Sequence, residues 1–183
     1  MIPTSLLYRV LQEQGIALDW HPLPDDILGM YRRSPRLRCP VIILNSRIQP
    51  DSPLYRVVLA HELGHHFTSR GDSVRVFAVG YNETNYREEW RANAWAANFL
   101  IPTVDLADAY HRGVLSSPEL ADYFHVTEEL VTYKYRVLQS DAQERLLFQR
   151  LLNINSNNVG AKDGETRGCS CAQFDSEPLL SYF

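Results

Sequence analysis

The stretch VVLAHELGHHF, Val57 to Phe67, begins as a plain apolar helix face and turns into histidine and glutamate halfway along. Leu54, Val57 and Val58 sit at the spacing of one helical stripe, and the next positions on it are His61 and His65. A buried imidazole without a partner costs roughly 1–3 kcal/mol, so two of them one turn apart need something to hold them. Residues i and i+4 lie one above the other on a helix, which lets His61 and His65 aim nitrogens at one zinc ion at roughly 2.0–2.1 Å. Glu62 projects about 100° round the helix from His61. From there it can reach a water on the ion without ligating the ion, take the water's proton and pass it to a leaving amine. The spacing is that of the H-E-x-x-H metal signature.

Three neighbours refine this reading. His66 pairs with Glu62 at i,i+4, so a Glu62/His66 ligand pair is geometrically feasible, but it would strand His61 on the buried stripe. His66 is therefore read as a pocket wall, a support for the ligands or a packed histidine. Gly64 costs roughly 1 kcal/mol against alanine in mid-helix, and a close-approaching neighbour would explain it. A third ligand must come from elsewhere, and Glu88 and Glu89 in NYREEWRANAWAANFLIP are the candidates. Glu89 shares its helix face with Asn93, Ala96 and Leu100; Glu88 shares its face with Ala92, Trp95 and Phe99. Small residues beside a ligand let two helix backbones approach, which favours Glu89. Glu88 also has a capping role available in a turn started by Asn85. Asn93 joins the candidates for the pocket around the ligands.

Periodicity and capping signals along the chain outline the helices and strands that carry these residues. Ser5 to Gln14 predicts a first helix, with Leu6, Leu7, Val10 and Leu11 on one face and Gly15 after it. IALDWHPLP, ILGMYRR and CPVIILNS then read as three short strands, the third the most apolar. That third run, Val41–Asn45, is a candidate edge for taking a substrate as an added strand. Ser52 and Pro53 start the motif helix as N-cap and first residue, and it should end near Gly71. RVFAVGYN fits either a strand or a loop. Helices follow from Asn85 to about Ile101 and over about 104–111, 118–124 (capped by Ser117-Pro118), 128–138 and AQERLLFQRLL, which reaches Leu152. Beyond it NINSNNVGAKDGETRG reads as a polar tail. This order predicts an α+β fold.

Arg56 in RVVLAHELGHH, then Glu89 to Asn93 in EWRAN, then AANFLIP closing at a proline, together resemble the ImmA/IrrE family of metallopeptidases. The resemblance covers roughly residues 5 to 140. It implies His61 and His65 as zinc ligands, Glu62 as catalytic glutamate and Glu89 as third ligand. It also implies a zincin-like core, with a small three-stranded sheet packed on the motif helix, followed by a helical C-terminal part. Members of that family typically cleave helix-turn-helix repressors in bacteria and their mobile elements, often one encoded next door. The chain departs from the pattern at Trp95-Ala96 after the Asn and at FLIP in place of LLMP.

The rest bounds the function. A chain of 183 residues, 45% hydrophobic and with net charge −4, suits one soluble domain and gives no general reason to expect a nucleic-acid binder. It divides into a core over 1–102, a helical part of the same domain over 103–152 and a tail over 153–183. No apolar run reaches membrane-span length, and the three cysteines Cys39, Cys169 and Cys171 suggest a reducing cytoplasm. Residues 117–138 have a helix-turn-helix outline, yet Glu119, Asp122, Glu128 and Glu129 outnumber Lys134 and Arg136, so a packing or protein-docking unit is expected. RRSPRLR, with Arg32, Arg33, Arg36 and Arg38, is a basic hairpin tip, solvated or a dock for an acidic substrate segment. Cys169 and Cys171, or the apolar PLLSYF ending, could block an open zinc site. The expectation is a zinc endopeptidase acting on a protein. Its rival is a non-enzymatic regulator that binds DNA or a repressor through the C-terminal helices around a structural metal, a site that would need a fourth protein ligand.

Overall fold

Leu7 and Leu11, one turn apart, are the buried face of α1 (Thr4–Glu13), within one residue of the predicted helix at each end. The structure is a computed structural model describing residues 1–69, 73–78 and 86–158, with side chains described outside 73–78 and 154–158. The three expected strands are present as β1 (Ala17–His21), β2 (Ile27–Arg33) and β3 (Val41–Asn45). A fourth, β4 (Ser73–Ala78), arises from the segment whose pattern fitted either a strand or a loop. The sheet order is β1-β3-β2-β4, with β1 and β3 parallel and the other pairs antiparallel. The fold is α+β, as predicted, although the sheet is completed only after the motif helix.

One strand assignment has to be corrected. β3 is hydrogen-bonded on both sides, to β1 through Ala17↔Val41 and to β2 through Gly29↔Leu44, so Val41–Asn45 is no edge. Its apolar character reflects a central position, with Ile42 and Leu44 wholly buried. Among the described residues, the edges are β1 and β4.

The motif helix α2 (Pro53–Thr68) starts where predicted: the Ser52 Oγ accepts from the Tyr55 N–H at 3.2 Å, and Pro53 takes the first turn. It ends three residues before Gly71. Every residue from Tyr55 to His65 is buried, because the sheet, α1 and the helix that follows β4 pack around it. Leu54 falls outside this buried run and is exposed, contrary to the expected stripe. Arg56 is buried too. Its guanidinium donates to the Ile2 carbonyl at 2.7 Å, Thr4 Oγ1 at 2.8 Å and the His125 carbonyl at 2.9 Å, tying the N-terminal residues and the turn at His125 to α2.

Helices α3 (Tyr86–Leu100), α4 (Thr103–His111), α5 (Ser117–Phe124), α6 (Glu128–Ser140) and α7 (Ala142–Asn158) complete the described chain. α5 is capped by Ser116, one residue earlier than expected, in a reciprocal box with Glu119. α7 runs past Leu152 into the predicted tail. Asn85, Cys169, Cys171 and the PLLSYF ending lie outside the described residues. The helix-turn-helix outline of α5 and α6 is present, with His125 left-handed at the turn (φ 54°) and bonded through Nε2 to the Asp51 carbonyl at 2.8 Å. The turn is docked on the start of α2, and α6 packs on α3.

Candidate metal centre

α3 lies along α2, and a glycine lets it come close. A Cβ at Gly64 would sit 2.4 Å from the Ala92 carbonyl oxygen and 2.8 Å from its Cα. This is the close neighbour that a mid-helix glycine implied, and Gly64 therefore costs less here than an alanine would.

The approach brings three side chains together. His61 Nε2 is 3.2 Å from one Glu89 carboxylate oxygen and His65 Nε2 is 3.4 Å from the other. Both rings are fully buried, and they stand at 87° to each other with centroids 4.6 Å apart. One ligating atom from each of the three residues lies within 4.8 Å of the others, the sole such metal-competent group among the described residues. Glu88 is not part of it. Burial alone would raise the Glu89 pKa, but hydrogen bonds and charge from His61 and His65 overcome this and hold it at about 2.

The donor set fits zinc. Two imidazoles and one carboxylate are the ligands of a catalytic site that keeps its fourth position open. Asn93, one turn beyond Glu89, places its Oδ1 2.9 Å from His61 Nδ1. An amide oxygen only accepts, so His61 Nδ1 carries the proton and Nε2 is left with its lone pair for a metal. Asn93, on the same helix face as Glu89, thus fixes the orientation of the His61 ring.

Glu62 is wholly buried one residue after His61, and neither carboxylate oxygen makes a full hydrogen bond among the described residues. Burial, then the charge of Glu89, pushes its pKa well above the usual carboxylate range; the Tyr31 backbone amide opposes this weakly. The two glutamates are driven in opposite directions, one to hold a proton and one to stay ionised. His66 is half-buried, outside the three-residue group, with Nδ1 3.0 Å from the Tyr31 hydroxyl. Burial and the Arg33 charge lower its pKa. It is a wall between α2 and the sheet.

Two residues here escaped the sequence reading. Tyr31 and Gly29, on the inward face of β2, lie against His66 and Glu62. A glycine inside ILGMYRR was the available signal, since glycine in a strand interior often marks a close approach.

The chain matches the IrrE N-terminal-like domain of the M78 peptidases over residues 12–136, more than half its length and spanning the whole site. It belongs to that family. The M78 chain is accordingly a metallopeptidase with a protein substrate, and its zincin-like α+β core agrees with the resemblance seen in the motifs. No curated protein matches it closely enough to count as a relative. None of its described helices is long and apolar enough to cross a membrane.

Proposed function

We propose that this M78 chain is a zinc-dependent endopeptidase that cuts a helix-turn-helix repressor in the cytoplasm. The observation that carries the chemistry is the convergence of His61 and His65 on Glu89, with the buried carboxyl of Glu62 beside them. In this reading His61 and His65 hold the ion through Nε2 and Glu89 through a carboxylate oxygen. When bound there, zinc supplies Lewis acidity, which lowers the pKa of water and polarises a carbonyl.

Glu62 does the proton work. Its carboxylate takes the proton of the attacking water, keeps it out of bulk solvent and hands it to the leaving amine. A carboxyl whose burial raises its proton affinity suits both halves of that task near neutral pH. Asn93 keeps the His61 ring in the ligating tautomer. Among the described residues β4 is an edge strand, next to the strand that covers Glu62, and an extended substrate segment would add there.

The repressor as substrate is supported by the resemblance to the ImmA/IrrE family, and the cytoplasm by sparse cysteine, with Cys39 free. The α5–α6 unit reads as packing or protein docking: its turn is anchored to Asp51 and Arg56, and Glu128 and Glu129 open α6 facing solvent. Helices α4 to α7 are read as part of the same domain as the metal centre, since α6 packs on α3.

The decisive experiment mixes the purified protein with the repressor encoded beside it and follows cleavage and zinc content together. The expected result is about one zinc per chain and a discrete cut, absent from Glu62→Gln protein carrying the same zinc. Cleavage at the original rate by zinc-stripped protein, or by Glu62→Gln, would end this reading.

A further inference from the structure

A base must be aimed as well as present, and β2 carries an unusual device opposite Glu62. A Cβ built on Gly29 would lie 2.8 Å from Glu62 Oε1, 2.8 Å from Val58 Cγ1 and 3.2 Å from Glu62 Cγ. Side-chain carbons do not approach other heavy atoms below 3.0 Å, so the Glu62 carboxyl occupies space that any other residue at position 29 would need. The pairing of the strand with β4 shifts register at this point. Ile27 pairs with Ala78 but Gly29 with Phe77, leaving Leu28 as the extra residue of a bulge. Bulges twist a strand and re-aim the residues beside them, and they gather next to active sites. The next inward residue, Tyr31, is wholly buried and reaches across to His66. A full side chain therefore stands beside an empty position.

We propose that Gly29 is a positioning residue for the peptidase reaction: the bulged β2 strand presents a notch without a side chain, and the Glu62 carboxyl seats in it at a fixed place relative to His61, His65 and Glu89. The inference rests on reading Glu62 as the base. It differs from the ordinary role of a strand glycine, which weakens the strand and only makes room for packing. The contact with Val58 makes Gly29 a packing position as well, so the two roles must be separated by experiment.

The set of variants is Gly29→Ala, Gly29→Ala with Val58→Ala, Gly29→Ala with Glu62→Asp, and the single Glu62→Asp and Glu62→Gln proteins. Zinc content, kcat, KM and the thermal midpoint of zinc-stripped protein are measured for each. In Gly29→Ala the displaced carboxyl should lower kcat by roughly 10²-fold, since misplacing a reacting group by about 1 Å has that effect. KM should stay within about twofold and zinc content unchanged. Val58→Ala, added to it, gives the new methyl room on that side; the thermal midpoint should recover while kcat stays low. Shortening the carboxylate with Glu62→Asp should raise the midpoint of zinc-stripped Gly29→Ala protein while leaving that of the parent unraised, a coupling independent of activity.

Recovery of kcat in Gly29→Ala with Val58→Ala would overturn the proposal, because Gly29 would then serve packing alone. So would strict additivity of the Gly29→Ala and Glu62→Asp midpoints. If Gly29→Ala does not fold, the two double variants carry the test; failure of both to fold places the obstruction elsewhere and also overturns it. A failure of the base reading is recognised separately, by undiminished cleavage in Glu62→Gln.

Discussion

α3 carries members of two buried polar clusters, and they are built on different terms. Near its start, Glu89 and Asn93 meet His61, His65 and Glu62 of α2. Near its end, Asn98 meets Lys134 of α6, which is 1% exposed. The Lys134 ammonium donates to Asn98 Oδ1 and Thr103 Oγ1, each at 2.7 Å, and lies 3.5 Å from Glu144 Oε2, which also accepts from the Thr103 hydroxyl. Burial lowers the Lys134 pKa and the Glu144 charge offsets part of that. Three donors meet three acceptors, and this cluster is closed. The cluster around Glu62 is not, for among the described residues its two buried carboxylate oxygens make no full hydrogen bond. A charge buried only to hold a fold is surrounded by its complement. The Glu62 carboxyl, driven by its burial to hold a proton, has no such complement among the described residues.

The largest effect should come from opening the comparison at its reactive end. Glu62→Gln is expected to lose roughly 10²–10⁴-fold in peptidase activity while keeping its zinc and its fold, because the amide packs alike but accepts no proton. Turnover measured beside zinc content checks it. The closed cluster should respond in the opposite sense: Lys134→Met should cost about 3 kcal/mol of stability by leaving Glu144 and Thr103 without their cation. Denaturant unfolding reads this, and zinc content and kcat at room temperature should be unaffected. A loss of activity without a loss of stability would erase the distinction between the clusters.

Smaller effects sharpen the boundary of the open cluster. Glu89→Ala should weaken zinc retention and Glu88→Ala should not, since only Glu89 lies within reach of both histidines; elemental analysis after dialysis compares them. Asn93→Ala should lower zinc affinity by roughly 10–100-fold, the usual consequence of removing the partner that orients a ligating imidazole. Competition with a chromophoric chelator measures it. Smallest of all, Glu128→Gln with Glu129→Gln should change stability by no more than about 0.5 kcal/mol, as expected for solvated carboxylates outside both clusters.

How much of this was legible in advance depends on how far apart the interacting residues are along the chain. The site was mostly local. The i, i+4 spacing of His61 and His65, the Ser52-Pro53 start and the small residues around Glu89 are relations within one helix, and helical geometry converts such spacings into directions. The demand of Gly64 for a close neighbour was local too, though the identity of that neighbour, Ala92, was not.

Residue types and spacings were enough to propose His61, His65 and Glu89 as ligands and to indicate the α+β class and most element types. It took the packed fold to show that β3 is central, that Ser73–Ala78 completes the sheet, that Leu54 faces outward and that Lys134 is the hub of a buried network. It alone showed Gly29 against Glu62. Strand order and cross-element contacts join residues some tens of positions apart, and no periodicity within a segment encodes which other segment will cover it. An apolar strand looks the same whether it is buried at the middle of a sheet or waiting at its edge, and a lysine looks like surface until three acceptors from three other parts of the chain close around it.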